Sequence, residues 1–130
     1  MAIGSKPGPR NIGIRDLLHY RFPIMAIASI LHRLSGFVLF LMIPFILWLL
    51  EKSLESPLGF LQVQQGFSCW IIKFFTWVLL SALWFHLIAG IKHLVMDLGH
   101  WESKLGGKIS SISVLVLALI GIVFMGVWLW

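Results

Sequence analysis

The sequence predicts an all-α integral membrane protein, and three observations lead to that fold class. First, hydrophobic residues make up 59% of its 130 residues and charged residues only 12%, with a mean hydropathy of +0.96. A soluble domain carries about 25% charged residues, so this composition cannot surround such an apolar core with a polar surface. Second, three apolar segments each exceed the roughly 20 residues that a helix needs to cross a bilayer. Third, the sequence lacks the segments of about 10 residues with alternating polarity that are typical of membrane β-strands.

The three predicted spans form one membrane-anchor domain over residues 1–130. The predicted bounds are about 24–50 for helix 1, about 67–95 for helix 2 and about 109–130 for helix 3. Pro23 is placed at the first turn of helix 1, and Pro44 is expected to bend this helix. The connection of residues 51–66, which contains Pro57, is expected to be an outer loop. A short helix in the membrane interface is predicted from the helical spacing of Ile14, Leu17, Leu18 and Arg21.

The basic residues predict the orientation of the spans. Eight of them precede or enter helix 1 or lie around the connection between helices 2 and 3: Lys6, Arg10, Arg15, Arg21, Arg33, Lys92, Lys104 and Lys108. Only Lys52 and Lys73 lie at the opposite ends of the spans. The positive-inside rule therefore places the N terminus in the cytoplasm and the C terminus outside, which in a bacterial inner membrane is the periplasm. An outer aromatic belt would then consist of Trp48, Trp70, Trp128 and Trp130.

The composition also excludes several classes of site. The single cysteine, Cys69, cannot build a disulfide framework, a four-cysteine zinc or iron–sulfur site, or the C-x-x-C-H attachment of a c-type haem. The net charge of +5 does not indicate a nucleic-acid partner, because the basic residues flank the apolar runs and form no stripe. Any metal must therefore be held by other side chains.

Four residues near the cytoplasmic end of helix 1 form one stripe. Ser29, His32, Arg33 and Gly36 fall within an arc of about 100°, so they face one partner or ligand. Ionisable groups at membrane depth are costly, which makes them candidates for a functional site. The alternative is that Arg33 only reaches the lipid headgroups and that Ser29 only hydrogen-bonds its own helix.

Helix 2 carries a narrower stripe of His86, Gly90, His93 and Asp97, which spans about 60°. His86 lies two helical turns, about 10.5 Å, deeper than His93. This geometry suits a haem whose iron binds the His86 imidazole, with Gly90 leaving room for the flat ring. The haem propionates would then reach three side chains near the interface: His93, His32 and Arg33. The alternative for His86 is a core histidine that only forms hydrogen bonds. A stripe on the opposite side, interpreted as lipid-facing or helix-packing, consists of Trp70, Trp77 and Trp84.

No second histidine of this chain is expected at the depth of His86. His32 and His93 are placed near the interface, and His19 and His100 lie outside the predicted spans. If the iron has two axial histidines, the second must therefore come from another polypeptide. A partner membrane subunit is implied.

Two motifs resemble the signatures of a known family. Residues 21–36, RFPIMAIASILHRLSG, contain a match to the S-x-x-H-R-x-S-G signature of the larger, cytochrome b membrane-anchor subunit of succinate dehydrogenase, respiratory complex II. Residues 86–97, HLIAGIKHLVMD, resemble its second signature, H-x-x-x-G-I-R-H-x-x-x-D. Two departures are Lys92, which keeps the charge of an arginine but loses its bidentate geometry, and Arg10-Asn11 in place of Arg-Pro.

The resemblance implies a role for each matching residue. His86 would be an axial ligand of haem b, with the other ligand supplied by the smaller anchor subunit. His32 and His93 would lie on the propionate side of the haem, and Ser29 and Arg33 would line the ubiquinone site near the iron–sulfur subunit. Succinate oxidation would be carried by the flavoprotein and iron–sulfur subunits. The chain would thus belong to an enzyme only as one subunit of succinate:quinone oxidoreductase.

Two alternative functions remain open. A fumarate reductase anchor would carry similar residues, because the direction of the reaction depends on the potentials of the partners and on the quinone. A non-redox membrane subunit would instead use its histidines to carry protons. The absorption band of a b-type haem would support the succinate dehydrogenase and fumarate reductase readings and oppose the non-redox one.

Overall fold

The computed structural model describes residues 20–130, and this part of the chain is helical apart from short connections. Its helices are α1 (Ile24–Glu55), α2 (Pro57–Gly66), α3 (Trp70–Asp97) and α4 (Lys104–Leu129). The three long helices α1, α3 and α4 correspond to the predicted helices 1, 2 and 3. The interfacial helix predicted around residues 14–21 lies almost entirely outside the described residues.

The all-α fold class and the three apolar spans are confirmed for the described residues. Helices α1, α3 and α4 contain 32, 28 and 26 residues, and each is long and apolar enough to cross a membrane. At a rise of about 1.5 Å per residue, even the shortest extends beyond a hydrocarbon core of about 30 Å.

Helix α4 begins at Lys104, five residues before the apolar run that marked its predicted start. The hydroxyl oxygen of Ser103 accepts a hydrogen bond from the Gly106 N–H at 3.0 Å. This N-cap satisfies one of the backbone donors that a helix start leaves free. The first turn of α4 is therefore set by a polar cap, which a prediction based on apolar residues overlooks.

The prediction that residues 51–66 form a loop is wrong, because they are almost entirely helical. Helix α1 continues to Glu55, and residues Pro57–Gly66 form the helix α2. The Ser56 hydroxyl oxygen accepts from the Gly59 N–H at 3.0 Å, and Pro57 occupies the start of the helix, where a missing N–H costs nothing. The proline that suggested a loop instead marks a helix start.

The two prolines of the first span have different positions in α1. Pro23 lies just before the first helical residue as its N-cap, and its carbonyl accepts from the N–H groups of Ala26 and Ile27 at 2.9 and 3.2 Å. Pro44 lies inside the helix, which continues through it to Glu55. The missing N–H of Pro44 therefore does not end the span.

Most of the buried residues in the interior of the bundle are small. The buried cluster where α3 meets α4 consists of Phe85, Ala89, Val114 and Ala118. Helix α4 also buries Ser111, which has no exposed surface. Small side chains allow membrane helices to approach closely, because packing rather than water exclusion holds such helices together. The large apolar side chains lie mostly on the outside of the bundle, where lipid or another membrane subunit would cover them.

Two tryptophans of the predicted stripe pack α3 against α4. The Trp77 and Trp84 indole N–H groups donate to the backbone carbonyls of Ile122 and Leu117, each at 3.0 Å. Of the two interpretations offered for this stripe, helix packing therefore holds for Trp77 and Trp84. Trp70, the third member, is 67% exposed.

Candidate functional site

The centre of the candidate site is the imidazole of His86, which α3 directs toward α1. Its Nδ1 atom lies 3.0 Å from the Ser35 hydroxyl oxygen and 3.2 Å from the backbone carbonyl oxygen of His32. The same hydroxyl donates to the His32 carbonyl at 2.7 Å. Three polar atoms from two helices therefore meet at one point between α1 and α3.

This arrangement favours a neutral His86 ring that carries its proton on Nδ1. A carbonyl oxygen only accepts hydrogen bonds, and the single proton of the Ser35 hydroxyl is already directed to the His32 carbonyl. Both oxygens near Nδ1 therefore favour an N–H at that atom, because an unprotonated Nδ1 would face the carbonyl lone pairs. The other ring nitrogen, Nε2, then keeps its lone pair and can bind a metal.

A glycine of each helix lies beside the histidine of the other, and only at Gly36 would a side chain crowd that ring. A Cβ atom added at Gly36 of α1 would lie 3.1 Å from Cε1 of His86. A Cβ added at Gly90 of α3 would lie 3.6 Å from Nε2 of His32. Each helix thus carries a histidine followed four residues later by a glycine, and the antiparallel helices place each ring beside the glycine opposite. The sequence predicts that Gly90 leaves room for a haem. In the structure, the side chain that faces Gly90 is the His32 imidazole.

The prediction that this chain supplies no second histidine at the depth of His86 is wrong for His32. The centroids of the two rings are 4.2 Å apart and their planes are inclined by 25°, so the imidazoles are stacked. The His32 ring is also 5.2 Å from the His93 ring. Because His86 and His93 are two turns apart on α3, His32 lies between them. The position of a residue along its own helix does not show which residues of another helix it contacts, so the sequence did not predict this contact.

The remaining predicted site residues lie around this cluster. Ser29 is one turn before His32 on α1 and is half-buried, and Arg33 is exposed. On α3, His93 is half-buried, and Asp97 ends the helix with an exposed side chain. The structure therefore brings His32, His86 and His93 together and leaves Ser29 and Arg33 accessible from outside the bundle.

Ser35 is the residue of this site that sequence reasoning missed. It is 7% exposed and bridges the two helices through its hydroxyl group. The signal that could have found it is its spacing, three residues after His32 and next to Gly36, since serine at this spacing bonds the preceding turn. Within residues 20–130 no group of three or more His, Cys, Asp or Glu side chains could by itself hold a metal ion.

The fold and this cluster define an all-helical membrane protein that builds its candidate site from side chains of facing helices. The family model for succinate dehydrogenase/fumarate reductase transmembrane subunits matches residues 10–127, so the chain belongs to this family. The chain is also 50% identical over 117 residues to the succinate dehydrogenase cytochrome b556 subunit of Coxiella burnetii. The match covers 88% of this chain and 93% of that relative, and the resemblance inferred from the two motifs is confirmed.

Proposed function

We propose that the chain is the haem b-binding anchor of succinate dehydrogenase in a bacterial inner membrane and helps to form the site of ubiquinone reduction. The observation that carries this proposal is the His86 imidazole, whose Nδ1 is hydrogen-bonded between two helices while Nε2 keeps a lone pair for iron. The relative named cytochrome b556 subunit supports a haem, and the family supports the anchor role.

The residues present fit a haem with a single axial ligand from this chain. The group supplies one-electron chemistry when it is bound. His86 holds its ring through Nδ1, as metal-binding histidines generally do, and offers Nε2 to the iron. His32, Arg33 and His93 are proposed to lie on the propionate side, where an arginine can pair with a carboxylate through two parallel hydrogen bonds.

The second axial ligand is proposed to come from the small membrane-anchor subunit. The His32 ring stacks face to face on His86 with centroids 4.2 Å apart. Rings stacked this closely would leave no space for a planar group between them. His32 therefore does not serve as the ligand opposite His86.

Ser29 and Arg33 are proposed to bind the quinone. They lie one turn apart on α1, and both can be reached from outside the bundle. A hydroxyl group and a guanidinium group can donate to a quinone carbonyl and stabilise the negative charge that develops during its reduction. The iron–sulfur subunit would deliver electrons at this end of the bundle, and the flavoprotein subunit would oxidise succinate.

A fumarate reductase anchor is the second candidate, because the family that matches includes the transmembrane subunits of both enzymes. The test is to purify the complete complex that contains this chain and to record its reduced-minus-oxidised spectrum. Its rates of succinate-driven quinone reduction and quinol-driven fumarate reduction are then compared.

The proposed function predicts a b-type band that succinate reduces and a faster reaction in the succinate-to-quinone direction. A band together with faster fumarate reduction would support the second candidate instead. A complex without any haem band would contradict both and favour a non-redox subunit.

A further inference from the structure

We propose that Ser35 is a positioning residue for the haem ligand and that its hydroxyl group, with the His32 carbonyl, adjusts the potential of the haem. This inference rests on the proposed ligation of iron by His86. The hydroxyl lies 3.0 Å from Nδ1 of His86 and 2.7 Å from the carbonyl oxygen of His32. Ser35 thus links the ring of α3 to the backbone of α1.

The geometry gives Ser35 a role beyond that of an ordinary helix serine. A serine inside a helix commonly donates to a carbonyl three or four residues earlier, and the bond to His32 satisfies that pattern. The remaining lone pair of the hydroxyl oxygen faces Nδ1 of His86. Because Ser35 is only 7% exposed, water cannot readily replace it as the acceptor.

An acceptor at Nδ1–H makes the opposite nitrogen a stronger donor to a metal. A stronger donor stabilises ferric iron more than ferrous iron, so the acceptor lowers the reduction potential. Removing the Ser35 hydroxyl leaves only the His32 carbonyl, 3.2 Å from Nδ1, and should therefore raise the potential.

Two further contacts fix the plane of the His86 ring. The His32 ring covers one face of the His86 ring. A Cβ atom at position 36 would lie only 3.1 Å from Cε1 of His86, so Gly36 leaves little space beside that edge of the ring. An imidazole ligand presents a ring nitrogen at its edge to the metal, so a neighbour stacked on its face does not block Nε2. Residues 32–36 of α1 thus control both the tautomer and the rotation of the ligand.

The test compares Ser35→Thr with Ser35→Val in the purified complete complex. The two replacements have nearly the same shape, but only threonine keeps a hydroxyl group. Ser35 lines an open apolar groove of about 410 Å³, which has space for the added methyl groups. The readouts are the midpoint potential of the haem and the amount of haem retained through purification.

We expect Ser35→Thr to behave like the wild type and Ser35→Val to shift the potential upward. A tenfold change in the preference of the site for ferric over ferrous iron corresponds to about 59 mV. If Ser35→Val loses haem, a roughly 10- to 100-fold weaker retention that threonine restores supports the same role. Equal changes in both variants, or no change in either, would overturn the inference.

A second pair of variants tests the control of ring rotation. Gly36→Ala places a Cβ 3.1 Å from Cε1 of His86, whereas Gly66→Ala places one at the same distance from a flexible Ile72 methyl group outside the site. Only Gly36→Ala should change the anisotropy of the ferric haem signal in electron paramagnetic resonance, which depends on the orientation of the ligand plane. An unchanged signal in Gly36→Ala would contradict the inference.

These outcomes are separate from those of the proposed function. If His86→Leu leaves the haem spectrum unchanged, His86 is not the ligand and the proposal on which this inference rests fails. If His86→Leu removes the spectrum while Ser35→Val and Ser35→Thr share the wild-type potential, only the role of Ser35 fails.

Discussion

Helix α3 packs against α4 and α1 through similar contacts, in which a ring of α3 lies beside a glycine of the neighbouring helix. The two rings differ in the polar atoms that these contacts leave free. Toward α4, Trp84 lies over Gly121, where any Cβ would overlap the indole, and donates its N–H to a backbone carbonyl at 3.0 Å. Toward α1, His86 lies beside Gly36, and its Nδ1 is 3.2 Å from the backbone carbonyl of His32. In both interfaces a glycine makes room for a ring, and a ring nitrogen lies within hydrogen-bond distance of a helix carbonyl.

The two rings differ in the number of polar atoms that remain without a hydrogen bond. The indole of tryptophan has a single polar atom, a donor, so one hydrogen bond satisfies it completely. The imidazole of histidine has two nitrogens, so the same bond leaves Nε2 of His86 with a lone pair. Trp84 therefore leaves no polar atom of its own free in the α3–α4 interface, whereas His86 retains a ring nitrogen in the α1–α3 interface that could bind a ligand.

The largest expected effect concerns which end of the α1–α3 interface faces the cytoplasm. The measured activity of a reporter fusion should be either present or absent. Eight basic residues flank the end near His93, against two at the other end, so that end should be cytoplasmic. A reporter active only in the periplasm should be active when fused after Trp130 and silent when inserted near Lys104. The reverse pattern would place Ser29 and Arg33 at the periplasmic face, away from electron donors in the cytoplasm.

The next largest effect concerns the outer face of α1. Ser29→Ala should reduce succinate-driven quinone reduction by at least about tenfold, because a hydrogen bond to a group that gains charge is worth roughly 1.5–3 kcal/mol. Succinate oxidation measured with a soluble dye should persist. Ser113→Ala is the control, because Ser113 is an exposed α4 serine bonded to its own helix. A parallel loss of both activities would indicate an assembly defect, and no loss would make Ser29 a packing residue.

Substitutions in the α3–α4 interface should lower the stability of the protein and leave the haem spectrum unchanged. Gly121→Ala forces a Cβ into the Trp84 indole, and overpacking of this kind costs typically about 1–3 kcal/mol. Gly126→Ala should cost less, because its Cβ would stay 3.2 Å from the Trp77 indole nitrogen. Thermal unfolding of the purified complex measures both variants. A changed haem spectrum in folded Gly121→Ala protein would contradict the separation of the two interfaces.

The smallest effect is expected from removing a single indole N–H. Trp84→Phe deletes the bond to the Leu117 carbonyl and should lower the unfolding free energy by about 0.5–1.5 kcal/mol. Trp70→Phe is the matched control, because Trp70 is 67% exposed. Equal losses in the two variants would show that ring volume, and not the hydrogen bond, determines the contribution of Trp84.

The sequence predicts the fold better than it predicts the contacts of the site. Apolar length alone identifies the three spans, because a bilayer demands about 20 apolar residues from each helix. The helix Pro57–Gly66 was missed because its proline reads as a loop signal unless the preceding Ser56 cap is recognised. Periodicity found His86 and His93 on one stripe, since both lie on the same helix.

The periodicity of residues within one helix does not predict contacts between helices. The stacking of His32 on His86 depends on the relative height of α1 and α3, which the periodicity within one helix does not contain. Ser35 was missed for the same reason, because its importance arises only when Nδ1 of His86 comes within 3.0 Å of it. The residue types of the site were readable from the sequence, but their partners across the interface were not.

The most direct test of the central claim is the haem content of the purified complete complex after replacement of His86. His86→Leu removes the proposed iron ligand, whereas His100→Leu changes an exposed histidine beyond the end of α3. We expect His86→Leu to lose or alter the low-spin b-type spectrum and His100→Leu to keep it at wild-type haem content. An unchanged spectrum and haem content in assembled His86→Leu complex would contradict the account.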